Sequence, residues 1–303
     1  MAAPRSGPLD WAIDGKTWPN RDASSFVKAS GLLWHVQRKG SGPTLLLLHG
    51  TGASTHSWRD LLGPLSEHFD VVALDLPGHG FTDPLPFHRL SLPGMAKAVA
   101  GLLQTLEVRP AFVVGHSAGV ALALQMVLAG DIHPRGILSI NGALKPYGGF
   151  MGPVFTGMAK MLFATPVVPW LATREAADPR RTRSVIQNTG STLNPEGQAL
   201  YDRLLRAPSH VEGALGMMAS WNLHGLVRAL RTVSVPILLV GSEKDLAVAP
   251  EIAETTAALM PKARALIVPG LGHLAHEENP SFFVDLIERE ARRCGALPAA
   301  CGP

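Results

Sequence analysis

The sequence predicts an α/β fold, with a mostly parallel β-sheet, helices on both of its faces and a helical cap insertion. Short apolar runs alternate with segments of helical periodicity along most of the chain. Some runs are apolar on both faces, which is typical of buried strands in a parallel sheet. Between about residues 144 and 231 this alternation stops. We therefore predict an irregular N-terminal arm over residues 1–25, a core formed by residues 26–143 and 232–303, and a helical cap over residues 144–231.

Composition limits the class of protein. With 303 residues, of which 46% are hydrophobic and 17% charged, the chain can bury one large core or a core with an inserted subdomain. A formal net charge of +3, with no interleaved basic and aromatic stripe, argues against nucleic acid as a partner. Cys294 and Cys301 are too few for a disulfide framework or a Cys-rich metal site. We expect a cytoplasmic protein without a signal peptide or a transmembrane segment.

Seven apolar runs predict the strands of the sheet. The run TLLLL at residues 44–48 is apolar on both faces and should be a buried central strand. Turn-forming residues such as the GSGP sequence before it separate the runs from their neighbours. The predicted strands lie at residues 32–37, 44–48, 71–74, 111–114, 136–140, 235–240 and 265–268.

Helices are predicted between these strands. Apolar residues recur at helical spacing in residues 95–106, and an Ala- and Leu-rich run follows at residues 120–129. Residues 56–69 form a further predicted helix. Asn279 and Pro280 are typical of the N-cap and first turn of a last helix.

The cap region is rich in Met, Phe, Trp and Pro. Most of its large side chains are expected to form the cap's own small core, but a cap inserted after a strand with catalytic groups would also roof a pocket. We predict substrate contacts from Met217, Met218 and Trp221. The arginines of this region form either a solvated face or, as the less favoured alternative, a contact for an anionic substrate. They are Arg174, Arg180, Arg181 and Arg183.

The pentapeptide GHSAG at residues 115–119 lies between an apolar run and the predicted helix at residues 120–129. A serine on a sharp strand-to-helix turn is exposed above the sheet, and the small Gly115 and Gly119 permit the close approach of strand and helix. The N-terminus of the helix also directs the N–H of Ala118 towards the serine. The alternative is an ordinary turn in which Ser117 caps the helix.

Five motifs in sequence order resemble those of α/β-hydrolases and together cover nearly the whole chain. They are HG at residues 49–50, DLPGHGFT at 75–82, GHSAG at 115–119, VGSEKD at 240–245 and PGLGH at 269–273. This resemblance implies the α/β-hydrolase fold and a nucleophile, acid and histidine in that order along the chain.

Three short phrases of the sequence resemble the magnesium chelatase accessory proteins of bacteriochlorophyll biosynthesis. The phrases are WHVQ at residues 34–37, HGTGASTHSW at 49–58 and MMASW at 217–221. The resemblance implies a photosynthetic bacterium, a tetrapyrrole pathway, a magnesium porphyrin or its precursor as substrate, and contact with magnesium chelatase. It places the protein in the cytoplasm or at the surface of the photosynthetic membrane, and it implies no known reaction.

A catalytic triad of Ser117, Asp245 and His273 is predicted from these positions. His273 follows the last strand in a glycine-flanked loop, where its ring would act as base and then as acid for Ser117. Asp245 follows a buried strand and would hold the imidazole in the productive tautomer. Glu243 is the competing carboxylate, and the position after the strand at residues 136–140 offers no acid.

Thr51 N–H and Ala118 N–H are the predicted oxyanion donors. His49 is expected to be structural, and His116 either lines the pocket or fills space. His276 is expected at the surface. Because the histidines lack metal-ligand spacing and no dinucleotide or phosphate loop is present, we expect hydrolysis without a metal or cofactor.

Three functions remain open from the sequence. The first is a serine hydrolase that cleaves an ester, a thioester or an activated C–C bond of a small molecule. The second is a non-catalytic carrier or accessory protein that binds a tetrapyrrole in the same pocket. The third and least favoured is cofactor-free peroxidation at a serine-type site, since a fold alone does not decide function.

Overall fold

The computed structural model describes residues 9–144 and 179–299, and its central feature is a mostly parallel sheet. The strands are β1 (Ser24–Ala29), β2 (Leu32–Lys39), β3 (Thr44–Leu48), β4 (Asp70–Leu74), β5 (Phe112–His116), β6 (Gly136–Ile140), β7 (Ile237–Ser242) and β8 (Ala263–Val268). They lie in the order β1-β2-β4-β3-β5-β6-β7-β8. β1 and β2 are antiparallel to their neighbours, whereas β4, β3 and β5 to β8 run parallel. The predicted α/β architecture is confirmed.

Helices cover both faces of the sheet. They are α1 (Arg59–Leu65), α2 (Leu92–Thr105), α3 (Ala118–Ala129), α4 (Pro179–Gln187), α5 (Pro195–Leu205), α6 (Pro208–Ser220), α7 (His224–Ala229), α8 (Glu251–Ala257), α9 (Ala275–Glu278) and α10 (Pro280–Arg293). Leu46 and Leu48 of β3 pack on the α2 and α3 side, whereas Leu45 and Leu47 pack on the α1 and α10 side. Alternate residues of β3 thus face opposite layers, which is why this strand is apolar throughout.

The carboxyl ends of the parallel strands meet at one edge of the sheet. Residue pairing is in register from β3 to β8, with Leu48 opposite Gly115, His116 opposite Ile140, and Ser242 opposite Val268. The loops that follow these strands are therefore neighbours in space although they are distant in sequence. Ligands of open α/β sheets bind at such an edge.

The N-terminal part differs from the prediction in one strand. β1 begins at Ser24, at the end of the predicted irregular arm, and adds an antiparallel edge to the sheet. Most of its residues are partly or fully exposed, so no apolar run indicated it. Before β1 the described residues form two short 3₁₀ turns, and Trp18 is buried with its Nε1–H donating to Thr55 Oγ1 over 3.2 Å.

Residues 179–231 contain the four helices α4 to α7 and no strand. These helices pack on the core, because Ile186, Leu193 and Tyr201 form an apolar cluster with Ala53 and Leu274. Arg174 and the rest of the predicted cap from 145 to 178 lie outside the described residues. The cap boundaries stay a prediction.

No helix within the described ranges 9–144 and 179–299 has the length and apolar character needed to cross a membrane.

Candidate active site

Ser117 forms the turn between β5 and α3. Its backbone has φ of 51° and ψ of −116°, a region that a non-glycine residue occupies only when its surroundings impose it. The Ser117 N–H donates to the carbonyl of Ile140 over 2.9 Å, which ties the turn to the end of β6. The side chain makes no capping hydrogen bond to α3. The structure therefore does not show the ordinary capping turn that was the alternative.

The two glycines of the pentapeptide are required by close packing. A Cβ at Gly115 would lie 2.8 Å from the backbone nitrogen of Val120, and one at Gly119 would lie 2.8 Å from the carbonyl oxygen of His49. Gly50 approaches from the neighbouring strand end, where a Cβ would lie 2.9 Å from Cβ of Ser117. A larger residue at any of these glycines would displace the backbone around the strained serine.

His273 and Asp245 form a hydrogen-bonded pair. Nδ1 of His273 lies 2.7 Å from Oδ2 of Asp245, whose side chain is fully buried. Oδ1 of Asp245 accepts from the N–H groups of Ala247 and Val248 over 2.8 Å each. The carboxylate is therefore oriented by its own loop before it contacts the ring. The competing carboxylate, Glu243, accepts from the N–H of Gly270 instead, over 2.8 Å.

The His273 loop is held beside the Ser117 turn by two buried side chains. Nε2 of His116 donates to the carbonyl of His273 over 2.9 Å, and the two rings lie 4.8 Å apart. Nδ2 of Asn141 donates to the carbonyls of Gly272 and His273 over 3.1 and 2.9 Å. The His273–Asp245 pair and the Ser117 turn thus lie at the same carboxyl edge of the sheet.

The contact of Asn141 with the His273 loop was not predicted from the sequence. Asn141 stands after β6, where it was noted only because no acid occupies that position. Its φ of 48° turns the chain away at the end of the strand. The available signal was a polar residue directly after a buried strand that neighbours the strand of the nucleophile.

A second missed feature is the segment 189–191, which follows α4. The carbonyl of Thr189 accepts from the N–H groups of Leu246 and His273, both over 3.2 Å. Ser191 Oγ accepts from the N–H of Leu274 over 2.8 Å. This segment therefore joins the acid loop to the histidine loop, a link that no local pattern in residues 189–191 indicated.

Residues 50–53 form a tight turn directly after β3. The N–H of Ala53 donates to the carbonyl of Gly50 over 3.2 Å, and Gly52 has φ of 76°, as a type II turn requires at its third position. Within the described ranges, neither Thr51 N–H nor Ala118 N–H donates to any protein group. Their role as oxyanion donors stays a prediction.

His276 is buried, and the expectation of a surface residue was wrong. Its Nε2–H donates to Ser57 Oγ over 2.8 Å, and its ring lies 4.6 Å from that of His116. Ser57 in turn donates to Glu277, which also pairs with Arg59 and accepts from Tyr201. His276 is thus buried by a contact with a residue distant in sequence, which no local pattern around His276 indicated.

The other predicted site residues differ in their burial and in their contacts. Met217 is buried, and its Sδ accepts from the Thr51 hydroxyl over 3.6 Å. Trp221 is half-buried and donates to Sδ of Met95 over 3.3 Å, so it packs on α2, while Met218 is half-buried. His116 is buried and contacts the His273 loop, and burial lowers the pKa of its ring well below the usual range.

His49 has the structural position expected of it. It donates from Nδ1 to the carbonyl of Gly50 and accepts at Nε2 from the N–H of Leu76. In the part of the chain that the structure describes, no group of three or more His, Cys, Asp or Glu side chains is arranged to hold a metal ion.

Comparison with known proteins gives consistent matches over most of the chain. A family model for the alpha/beta hydrolase fold matches residues 43–280. The chain is 40% identical over 262 residues to the magnesium-chelatase 30 kDa subunit of Rhodobacter capsulatus, covering 86% of this chain and 91% of that protein. It is 28% identical over 278 residues to the 2-(acetamidomethylene)succinate hydrolase of Mesorhizobium japonicum, covering 87% and 93%.

Two solved structures share the architecture. The epoxide hydrolase CorEH superposes with a TM-score of 0.75 at 22% identity, covering 89% of this chain and 98% of that one. A thermophilic esterase from Thermogutta terrifontis superposes with a TM-score of 0.70 at 21% identity, covering 89% and 98%. At these identities the two structures demonstrate a shared fold and nothing about a shared substrate.

Proposed function

This chain belongs to the α/β-hydrolase fold family and is similar over most of its length to the magnesium-chelatase 30 kDa subunit of Rhodobacter capsulatus, and from that premise we propose that it is a serine hydrolase. The single observation that supports this most is the buried Asp245–His273 pair, with its 2.7 Å contact, beside the strained Ser117 turn. In the proposal Ser117 is the nucleophile, His273 the base and acid, and Asp245 the residue that orients the ring.

The proposed reaction begins when Ser117 Oγ attacks the carbonyl carbon of the substrate and Nε2 of His273 takes the hydroxyl proton. The N–H groups of Thr51 and Ala118 donate to the oxyanion that forms. The imidazolium then gives its proton to the leaving group, which departs and leaves an acyl-enzyme. A water molecule, deprotonated by His273, attacks the acyl carbon and releases a carboxylic acid and free Ser117.

We further propose that the substrate is a small molecule of (bacterio)chlorophyll biosynthesis, at or near the magnesium chelatase step. Support comes from the Rhodobacter relative at 40% identity. A carboxylated magnesium porphyrin or its precursor would lie under the cap, with Met217, Met218 and Trp221 on the apolar side. Contact with the chelatase, and a place in the cytoplasm or at the photosynthetic membrane, belong to the same proposal.

The second candidate is a non-catalytic accessory protein that binds the tetrapyrrole without cleaving it. What favours it is the name of the same relative, which is called a subunit of the chelatase and not a hydrolase. The two candidates use one pocket, so an experiment must separate binding from turnover.

Covalent labelling of Ser117 by a fluorophosphonate probe separates them. A serine hydrolase should label as wild type and should fail to label as Ser117→Ala, because only an activated serine reacts. The same two proteins are titrated with magnesium protoporphyrin and followed by absorbance. Labelling supports the hydrolase. Folded wild type that does not label at any pH tested, but binds the porphyrin as tightly as Ser117→Ala, supports the accessory protein.

A further inference from the structure

Helix α6 lies across two loops of the core and contacts both with one face. That face carries His210, Gly213 and Met217, which are spaced by one turn and then another along the helix. His210 and Met217 are each only 1% exposed. These two side chains are therefore buried, although α6 belongs to the predicted cap.

Gly213 brings the helix into backbone contact with the first of these loops. A Cβ at Gly213 would collide with the carbonyl group of Gly78, and Cβ at Gly78 would lie 3.0 Å from Cα of Gly213. Gly78 itself has φ of 77°, in the left-handed region. Because backbone meets backbone here, α6 cannot move closer to the Gly78 loop.

His210 bridges the two loops with the two nitrogens of one ring. Nδ1 accepts from the N–H of Gly80 over 3.0 Å, and Nε2 lies 3.1 Å from the carbonyl oxygen of Gly52. Since Gly80 N–H is a donor and Gly52 O is an acceptor, the ring is neutral with its proton on Nε2. The rigid imidazole thus fixes the distance between the loops.

The second loop is the turn at residues 50–53, which carries the proposed oxyanion donor Thr51. His210 donates to the carbonyl of Gly52, the residue after Thr51. The hydroxyl of Thr51 itself contacts Sδ of Met217. Both contacts come from α6. The position of the Thr51 N–H relative to Ser117 is therefore set by this helix as well as by the end of β3.

We propose that His210 is a positioning residue that couples the cap helix α6 to the oxyanion donor Thr51, through the hydrogen bond from Nε2 to the Gly52 carbonyl. The inference rests on the proposed hydrolase function and extends it, because it makes the oxyanion site depend on how the cap is seated. His210 does not contact the reacting atoms in this assignment. A misplaced donor lowers the rate of the chemical step more than it weakens ground-state binding.

Two substitutions separate the contacts of His210. Asparagine places its side-chain oxygen near the position of Nδ1, so His210→Asn keeps the acceptor for Gly80 N–H and loses the donor to Gly52 O. Glutamine reaches the position of Nε2, so His210→Gln keeps the donor to Gly52 O. Each variant loses one buried hydrogen bond, so their stabilities should be similar while their activities differ.

Hydrolysis of p-nitrophenyl acetate is measured for both variants and the wild type. We expect kcat of His210→Asn to fall by about 10- to 100-fold with KM within about threefold, and kcat of His210→Gln to stay within about fivefold of wild type. Arg203→Gln is the matched control. It removes two hydrogen bonds from α5 to the N-terminal segment, at Asp14 and Thr17, neither of which involves the serine turn or residues 50–53, and should leave kcat unchanged.

Hydrogen exchange at the Ala53 amide, read by mass spectrometry of the peptide that contains residues 50–53, tests the coupling without any turnover. Exchange should accelerate in His210→Asn and not in His210→Gln or Arg203→Gln, because Ala53 N–H closes the turn. Equal kcat or equal exchange in the Asn and Gln variants overturns the inference. A wild type that neither hydrolyses the ester nor labels overturns the hydrolase proposal, and the exchange result then still decides whether His210 holds the turn.

Discussion

At the scale of single residues, the site depends on side chains whose partners come from other strands. Asp245 is oriented by the N–H groups of its own loop and then contacts His273, which lies 28 positions further along the chain. Glu243 is only two positions from Asp245, yet it is used to hold the N–H of Gly270. Two neighbouring carboxylates thus have different contacts, and these contacts predict different effects when each is changed.

Asp245→Asn should reduce turnover by roughly 10⁴-fold while the protein stays folded, because a neutral amide no longer selects the productive tautomer of His273. Glu243→Gln is the matched control, and its kcat should stay within about threefold of wild type, since the amide oxygen still accepts from Gly270 N–H. Steady-state ester hydrolysis and circular dichroism measure the two effects. A larger loss in Glu243→Gln than in Asp245→Asn would show that the acid has been misassigned.

Asn141 is expected to act on the position of the His273 loop. Asn141→Gly removes the amide that holds the carbonyls of Gly272 and His273 but tolerates the φ of 48°. We expect kcat to fall by about tenfold as the loop loses its support. Ser139→Ala, two residues earlier in β6, removes a buried hydroxyl that has no hydrogen-bond partner among the described residues, and it should be active. Equal activity of the two variants would remove the proposed role of Asn141.

At the scale of elements, the unit that matters is β5, the serine turn and α3. The turn is possible because Gly115 and Gly119 let the start of α3 approach the ends of β5 and β3. Larger side chains at these two positions would push α3 away from the strands and would displace the serine turn. Replacing a Cα hydrogen of Gly119 by a methyl group should therefore lower the stability of the protein.

Gly119→Ala should lower the free energy of unfolding by about 3 kcal/mol and reduce activity, because the added methyl collides with the backbone at Leu48 and His49. Gly225→Ala in α7 is the matched control. A Cβ there would meet nothing within 4 Å, so this change should be neutral or stabilising by up to about 1 kcal/mol. Urea denaturation compares the two. A Gly119→Ala protein as stable and active as Gly225→Ala would refute the close-packed turn.

At the scale of the whole molecule, six of the twelve histidines are buried and have a lowered pKa. Burial lowers the pKa of each ring below 6.5, to about 4 for His210 and to about 3 for His276. The others with a lowered pKa are His49, His56, His79 and His116. The pKa of Glu277 is raised by burial, which acts in the opposite direction on the pH dependence of stability. The pKa values of Asp75 and Glu290 are also lowered, so these groups and the six histidines together outweigh Glu277, and acid should destabilise the fold.

The contribution of these histidines to the free energy of unfolding should be fully present above pH 6.5 and should be lost as the pH is lowered towards 4. In that range the unfolded chain binds protons that the buried rings do not. For His210, the change of its pKa from 6.5 to about 4 corresponds to about 3 kcal/mol when fully lost. Urea denaturation between pH 7 and 4 measures the slope. In His210→Gln the slope should correspond to the uptake of up to about one fewer proton on unfolding. An unchanged slope would contradict the buried neutral state of this ring.

The sequence by itself predicted seven of the eight described strands, the helices α1, α2, α3 and α10, and the strand, turn and helix around Ser117. These follow from local properties: apolar runs on both faces, the small residues at Gly115 and Gly119, and polar residues placed directly after strands. Asn279 and Pro280 likewise predicted the start of α10, because capping acts within one turn. The edge strand β1 was missed because an exposed strand carries no apolar run.

Only the tertiary structure decided which of these polar residues meet. Asn141, Thr189 and His210 contact the site loops through hydrogen bonds that join residues far apart in sequence, so no periodicity or spacing encodes them. For the same reason His276 was expected at the surface and is buried, since its partner Ser57 is 219 positions away. Local sequence sets which backbone conformations are favourable, but the burial and partner of a polar side chain depend on how distant segments pack together.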